Sequence, residues 1–243
     1  MVYYLKKEDR VKKLIILLLT IISLKATSPK ERVEELVKMG KYKEALALSE
    51  ELCIKDKDKE ACEVVVKVYK KGYKKFNIDK NISKAFYFAT KACEVGVGKA
   101  CKLVADLYWD GNREANIKQS LLKAAQYYKK GCKAGNRASC TIGESKGLIV
   151  AAITLCYIKN PLKEVKELIE AGYDVNAKLD GLTPLCAAVL KDDFKITKLL
   201  LEHGADPSIE CKVEKETFTP LQKAIQKKNP LIIELLKNYE LKK

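Results

Sequence analysis

The chain has 243 residues, of which 47% are hydrophobic, and its 47 Lys and Arg outnumber its 32 Asp and Glu to give a net charge of +15. This length accommodates one large or two ordinary domains, and the apolar content is sufficient for a substantial core. The composition therefore excludes a disordered chain and predicts a folded, lysine-rich protein. Its basic balance favours anionic partners such as acidic proteins, acidic glycans or lipid headgroups.

Residues 1–26 are predicted to be a signal peptide. A basic segment precedes an eleven-residue apolar run at 14–24, which has the length of a signal-peptide core and is short for a bilayer span. Cleavage after Ala26 predicts a secreted or periplasmic protein without an integral membrane span. An uncleaved membrane anchor is the alternative interpretation. The basic residues are Lys6, Lys7, Arg10, Lys12 and Lys13.

Six of the nine cysteines form three regularly spaced pairs, Cys53/Cys62, Cys93/Cys101 and Cys132/Cys140. The first members of the pairs lie 40 and 39 residues apart, a period typical of solenoid repeats. Apolar residues recur at helical spacing before each first cysteine, and a second helix is predicted to begin near each second cysteine. Gly96 and Gly135 suit left-handed caps at the ends of the first helices. Each unit is therefore predicted to be an αα-hairpin whose cysteines flank the turn.

These units resemble the Sel1-like repeat, a relative of the tetratricopeptide repeat. The pattern is carried by Lys84-Ala85 and Lys123-Ala124, and by a tyrosine and a glycine after the second cysteine, as in Tyr108 and Gly111. It is similar to the disulfide-bridged version found in the Helicobacter cysteine-rich protein family. The resemblance covers about residues 40–146, departs from the pattern after Cys140, and implies a helix-turn-helix array over 28–146.

In an exported protein the three cysteine pairs are predicted to be disulfides, one across the turn of each hairpin. Buried free thiols and a zinc site are the alternatives. Zinc is disfavoured because seven or eight residues separate the cysteines of a pair and because the chain has one histidine, His203. No metal or cofactor is therefore predicted.

Three further cysteines, Cys156, Cys186 and Cys211, have no regular partner. Because nine is an odd number, at least one cysteine is free or joins two chains. The sequence does not decide which two of the three, if any, form a pair, and a disulfide-linked dimer through an unpaired cysteine is one interpretation.

Residues 147–243 resemble ankyrin repeats. Gly181-Leu182-Thr183-Pro184-Leu185 opens a unit that closes with His203-Gly204-Ala205-Asp206, and Thr219-Pro220-Leu221 restarts the pattern. The resemblance implies about three repeats, with a projecting hairpin finger at 207–216 and a last helix at 231–241. The predicted fold class is therefore all-α, an α/α solenoid of Sel1-like repeats followed by ankyrin repeats.

One motif suggests catalysis. Ser120-Leu121-Leu122-Lys123 fits the Ser-x-x-Lys of serine β-lactamases and penicillin-binding proteins, and the cysteine-rich family that the chain resembles includes members described as β-lactam-binding or weakly hydrolytic. Lys123, however, occupies the repeat position of Lys84, which has Asn81 and not serine three residues before it. No Ser-Asp-Asn or Lys-Thr-Gly accompanies the motif. A chance match is the favoured interpretation of Ser120 and Lys123.

The sequence thus predicts an exported, non-enzymatic scaffold that binds a protein through its grooves and ankyrin fingers. A β-lactamase-like hydrolase, or a binder of β-lactams or peptidoglycan fragments, is the first alternative. The second is an envelope structural protein in which Cys211 links two chains. Nucleic-acid binding is not predicted, because no aromatic-plus-basic recognition motif occurs.

Overall fold

The computed structural model describes residues 28–143, 145, 147–155 and 158–240. The predicted signal peptide, residues 1–26, and Cys156 lie outside the described residues. The chain divides into two compact units, Met1–Val95 and Gly96–Lys243. In the part of the chain that the structure describes, no helix is both long enough and apolar enough to cross a membrane.

Helical hairpins make up the described part of the first unit. The first helix begins with a capping box, in which the Ser28 hydroxyl accepts a hydrogen bond from the Glu31 backbone N–H and the Glu31 carboxylate accepts one from Ser28. The second helix continues into a π-helical turn, Leu52–Asp56, and a 3₁₀ turn, Lys74–Phe76, precedes the fourth. The helices are α1 (Pro29–Lys38), α2 (Tyr42–Glu51), α3 (Lys59–Lys71) and α4 (Ile82–Glu94).

The disulfide Cys53–Cys62 joins the end of the α2 segment to the start of α3, with the two Cα atoms 4.7 Å apart. Both cysteines are buried. Helix α3 packs against α4, where Ala89 is fully buried and the Tyr69 ring stacks on the Phe88 ring with centroids 5.9 Å apart. A small residue at the helix contact and a disulfide across the turn therefore hold this unit together.

The second unit begins with α5 (Gly98–Asp110), α6 (Leu121–Lys133) and α7 (Arg137–Gly143). The disulfide Cys132–Cys140 crosses the turn between α6 and α7, with Cα atoms 4.6 Å apart. These two helices are so close that a Cβ atom on Gly131 would lie 2.6 Å from the Ser139 Oγ. Only glycine fits there, which explains a residue that is otherwise unfavourable inside a helix.

Cys93 and Cys101 are also disulfide-bonded, so all six regularly spaced cysteines are in disulfides. The predicted left-handed glycines, Gly96 and Gly135, have φ angles of +86° and +83°. The structure therefore confirms the αα-hairpin pattern that the cysteine spacing predicts.

The rest of the second unit has paired helices and one short β-hairpin. Thr183 and Thr219 cap the first helices of two successive pairs by accepting hydrogen bonds from the Cys186 and Gln222 backbone N–H groups. The elements are α8 (Leu148–Thr154), α9 (Pro161–Glu170), α10 (Pro184–Leu190), α11 (Phe194–Glu202), β1 (Cys211–Val213), β2 (Glu216–Phe218), α12 (Pro220–Gln226) and α13 (Pro230–Glu240).

The finger predicted at 207–216 is an antiparallel hairpin over 211–218, in which Cys211 lies opposite Phe218. The difference arises because each strand of a hairpin needs a partner across the turn. The second strand, β2, therefore extends to Phe218, the residue before the helix cap Thr219. The last helix is described over Pro230–Glu240, and the predicted end at 241 lies outside the described residues.

One buried cluster runs from the last αα-hairpin into the ankyrin-like helices. Leu121 and Ala125 of α6 share this cluster with Ile149 of α8, Leu168 of α9 and Leu236 of α13. The compact second unit therefore begins at Gly96, well before the change of repeat type predicted at 146/147. The all-α fold class is confirmed, with a short β-hairpin added.

Glu164 connects the two kinds of repeat within this unit. It lies on α9, is only 3% exposed, and its Oε2 accepts a hydrogen bond of 2.7 Å from the Leu121 backbone N–H at the start of α6. A helix start leaves such N–H groups without partners in its own helix. Burial raises the pKa of the Glu164 carboxyl, and the hydrogen bond from Leu121 opposes that shift without cancelling it.

Replacing Glu164 should separate its role as acceptor from the cost of its charge. In the folded state, the pKa of Glu164 lies above its usual value of about 4.3, so folding favours the protonated carboxyl. The contribution of this carboxyl to the free energy of unfolding is therefore complete below about pH 4.3, and it is lost as pH rises through the folded-state pKa. Glu164→Gln keeps an acceptor and does not titrate, so its stability relative to wild type should increase between about pH 4 and pH 7. Urea unfolding at the two pH values measures this difference.

Glu164→Ala is the control for that experiment. It leaves the Leu121 N–H without its acceptor and should lower the free energy of unfolding by about 1–2 kcal/mol at pH 4, and by less at pH 7, because alanine also lacks the titrating carboxyl. A glutamine variant that loses stability relative to wild type as pH rises would contradict the assignment.

Candidate protein-binding surface

The finger, defined as residues 211–218, is covalently attached to the helix beside it. Cys211 on β1 forms a disulfide with Cys186 on α10, with Cα atoms 6.5 Å apart. The Thr183 backbone N–H donates a hydrogen bond to the Cys211 Sγ at 3.3 Å, and Phe218 packs into the same buried cluster as the two cysteines. The base of the finger is therefore rigid.

This disulfide settles a question that the sequence left open. Of Cys156, Cys186 and Cys211, the last two are paired and buried. The interpretation in which Cys211 links two chains is wrong, because its sulfur is bonded within the chain and shielded from solvent. Cys156, the remaining cysteine, lies outside the described residues.

A second turn lies beside the finger. Leu179 and Leu182 form an antiparallel bridge around Asp180 and Gly181, and the Gly181 carbonyl accepts a hydrogen bond of 3.0 Å from the Lys212 backbone N–H. A Cβ atom on Gly181 would lie 2.6 Å from the Lys212 carbonyl oxygen, and its φ is +83°. The position therefore requires glycine for both space and backbone conformation.

Asn176 joins successive repeats along this edge. Its Oδ1 accepts a hydrogen bond of 2.8 Å from the Asp206 backbone N–H, and its Nδ2 donates one of 3.3 Å to the Gly204 carbonyl. The loops that follow α9 and α11 are therefore in register with each other. We call this side of the domain, with residues 176–182 and 204–218, the finger edge.

The finger exposes alternating charges and one apolar side chain. Lys212, Val213, Glu214 and Lys215 are all exposed. Behind them, the Lys223 ammonium lies 4.7 Å from the centroid of the Phe218 ring and 2.8 Å from the Glu216 carboxylate. A rigid hairpin of mixed charge can form polar contacts with a protein at little cost in ordering entropy.

Ser120 and Lys123 have structural roles in the helical hairpin. Ser120 is buried and caps α6, since its Oγ accepts a hydrogen bond of 3.4 Å from the Lys123 backbone N–H. The Lys123 ammonium lies over the Tyr108 ring, 5.3 Å from its centroid. The motif therefore supplies a helix cap and a cation for an aromatic ring.

The first unit contains the same arrangement with asparagine in place of serine. The Asn81 Oδ1 accepts a hydrogen bond of 2.8 Å from the Lys84 backbone N–H, and the Lys84 ammonium lies 4.7 Å from the centroid of the Tyr69 ring. Lys84 also donates a hydrogen bond of 3.0 Å to the Tyr69 hydroxyl, which donates to Glu50. The repeat therefore accounts for the spacing of Ser120 and Lys123 without a reaction.

His203 lies on the surface, with its Nδ1 2.8 Å from the Leu199 carbonyl oxygen. Across the described ranges there is no group of three or more His, Cys, Asp or Glu side chains arranged to hold a metal ion. The finger edge is therefore the candidate surface, and of its residues the sequence predicted the finger at 207–216 from the ankyrin resemblance.

Comparisons with known proteins found similarity to ankyrin repeats, to one curated protein and to one solved structure. Residues 148–243 match the family model of ankyrin repeats in three copies. A 77-residue segment is 36% identical to BRCA1-associated RING domain protein 1 of Caenorhabditis elegans, covering 32% of the chain and 11% of that protein. The chain is also similar to a Sel1 repeat protein from Oxalobacter formigenes, with 18% identity, coverage of 80% of this chain and 81% of that one, and a TM-score of 0.35.

The fold and the family match define a helical-repeat protein. Its residues 148–243 match ankyrin repeats, and its disulfide-bonded αα-hairpins fit the cysteine-rich Sel1-like type. The ankyrin part of the predicted resemblance is thereby confirmed.

Replacing Ser120 should test its role as a helix cap. Ser120→Ala is expected to lower the free energy of unfolding by about 1 kcal/mol, because the Lys123 N–H loses its acceptor. Ser120→Asn should retain most of the stability, since Asn81 caps α4 in the same way. Urea unfolding of the oxidised protein measures both. An asparagine variant with full stability that lost a measurable nitrocefin turnover would instead assign Ser120 to catalysis.

Proposed function

We propose that the chain is an exported repeat scaffold that binds a protein partner through its finger edge. The observation that carries the proposal is the disulfide Cys186–Cys211, which attaches the finger to α10. A preorganised loop loses less entropy on binding than a free one. The ankyrin fold supports the same use by analogy, since its hairpin fingers and inner helices commonly contact proteins.

The cysteines support an oxidising compartment. Eight of them are disulfide-bonded in the part of the chain that the structure describes, and such bonds persist mainly in secreted, periplasmic or surface proteins. Together with the basic and apolar segments at 1–24, this supports export by a cleaved signal peptide. We propose a secreted or periplasmic location for the mature chain.

The charge of the chain supports an acidic partner. Without residues 1–26 the chain has 41 Lys and Arg and 30 Asp and Glu, and its net charge of +11 accelerates encounters with negatively charged surfaces at low ionic strength. The finger contributes Lys212 and Lys215 to this field, while Glu214 and Glu216 give it local selectivity. Electrostatic attraction of this kind raises association rates more than it raises affinity.

Removing the finger disulfide should test the binding proposal. Cys186→Ala with Cys211→Ala is expected to speed amide hydrogen exchange in residues 211–218 and to lower the free energy of unfolding by about 3 kcal/mol. Capture of the partner from periplasmic or culture extracts under non-reducing conditions should fall at least about tenfold. Cys132→Ala with Cys140→Ala is the control, since it removes a disulfide distant from the finger and should leave finger exchange and capture unchanged.

Surface substitutions separate loss of contact from loss of stability. Lys212→Gln, Val213→Ser and Lys215→Gln alter the finger without changing its disulfide, and should also abolish capture. Lys67→Gln, Lys70→Gln and Lys71→Gln are the matched control on α3. If both sets of variants capture the partner equally, the finger edge is not the binding surface.

Export is tested by the mature N-terminus. Mass spectrometry of the protein from its producing cell is expected to give a chain that begins at Thr27. A chain that retains residues 1–26 and is found in the membrane fraction would favour an uncleaved anchor.

A further inference from the structure

The ankyrin domain has a second exposed edge, where its outer helices begin. We define the turn edge as residues 159–163, 191–195 and 227–231, which lie at the starts of α9, α11 and α13. Each segment contributes one large apolar side chain. These are Leu162, Phe194 and Leu231, which are 36%, 37% and 61% exposed.

Lysines occur in the same three segments as these apolar side chains. The three segments contain six lysines and two aspartates. Asp192 forms an ion pair of 2.8 Å with Lys227. Asp193 caps α11 by accepting a hydrogen bond of 2.9 Å from the Ile196 backbone N–H. Both acids are therefore already engaged, which leaves an excess of positive charge along the edge.

Four of the six lysines are exposed and have no ion-pair partner among the described residues. The other two, Lys163 and Lys227, pair with Glu167 and Asp192. The unpaired four are distributed over all three segments. They are Lys159, Lys191, Lys195 and Lys228.

The three segments lie on one side of the domain. Helix α9 packs against α11, and α11 against α13. Asn176 joins the loops that follow α9 and α11, so the C-terminal ends of these helices meet at the finger edge. Their N-terminal ends therefore meet on the opposite side. Asp192 confirms the contact there, since it pairs with Lys227 and accepts a 3.5 Å hydrogen bond from Asn229.

The positive charge continues beyond the ankyrin repeats. A cleft of about 310 Å³ adjoins the first segment and is lined by Arg113, Lys118, Lys159 and Lys163. Arg113 and Lys118 belong to the loop between α5 and α6 and are exposed. Glu164, also in the cleft lining, is occupied by its hydrogen bond from Leu121.

We propose that the turn edge docks on an anionic membrane surface. Lysines near such a surface are attracted to its phosphate headgroups, and apolar side chains that project between them enter the boundary of the acyl chains. Each segment holds one large apolar residue and two lysines, which matches this combination of charged and apolar contacts. An acidic protein would satisfy the lysines but would leave the three separate apolar side chains without a common binding pocket.

The finger edge and the turn edge lie at opposite ends of the outer helices. Contact with a membrane through the turn edge therefore leaves the finger free to bind a protein. This inference does not depend on the proposed binding function, and either can fail alone.

Hydrogen exchange of the oxidised full chain with lipid vesicles tests the proposal. Vesicles that contain phosphatidylglycerol should slow amide exchange in all three segments of the turn edge, and vesicles of phosphatidylcholine alone should not. The finger, residues 211–218, should exchange at the same rate in both. Because the readout is local, binding through residues 1–26 does not imitate it.

Two sets of variants resolve the charged and apolar contributions. Replacement of Lys159, Lys191, Lys195 and Lys228 by Gln should abolish the protection, with a loss of vesicle affinity of about fivefold per lysine. Replacement of Leu162, Phe194 and Leu231 by Ser should weaken it by about tenfold. The matched control replaces Lys67, Lys70, Lys71 and Lys74 by Gln and should keep the protection. Circular dichroism verifies that each variant is folded.

Three results would overturn the proposal. The lysine variant could retain the same protection as the control, or protection could map to the finger instead. Soluble polyglutamate could also protect the turn edge as strongly as vesicles do, with no effect of the serine substitutions, and the edge would then be assigned to an acidic protein.

Discussion

The helices in the described part of the chain are too short to be stable alone, and the rest of the structure follows from that constraint. They range from seven to thirteen residues, whereas isolated helices in water are marginal below about 12–15 residues. Each must therefore bury one face against its neighbours. In the hairpins, small residues at the contacts and disulfides across the turns allow this. In the second unit, one buried cluster continues from Leu121 to Leu236, so the last hairpin acts as a cap for the ankyrin repeats.

Much of this could be predicted because the same physical requirement recurs in the sequence of each repeat. The cysteine spacing located the hairpin turns, and Thr183-Pro184 and Thr219-Pro220 located two helix starts, since caps depend on a few adjacent residues. Contacts between distant elements could not be predicted in the same way. The pairing of Cys186 with Cys211 requires knowing that β1 lies against α10. Glu164 resembles an ordinary exposed residue of an amphipathic helix, and its burial is evident only when α6 is in place.

The same reasoning explains how a Ser-x-x-Lys sequence can arise from the structure of a repeat. Four residues that match Ser-x-x-Lys are a weak signal when serine is a favoured helix cap and lysine recurs at a fixed repeat position. The comparison within the chain is more informative than the motif, since Asn81 and Lys84 occupy equivalent positions with the same contacts. A reaction would require a serine nucleophile, but the repeat accepts asparagine, and the shared property is therefore acceptance of a backbone hydrogen bond.

The distribution of charge distinguishes the two edges of the ankyrin domain more clearly than the net charge does. At the finger edge, lysines alternate with glutamates and the backbone is fixed by a disulfide, which favours selective contacts of defined geometry. At the turn edge, lysines outnumber acids, both aspartates are engaged, and the apolar side chains stand singly. This arrangement favours contact with a charged surface that has no defined shape, as a lipid surface has none and a partner protein has one. The division of charge between the edges therefore permits two kinds of contact on one rigid domain, with the outer helices as the spacer between them.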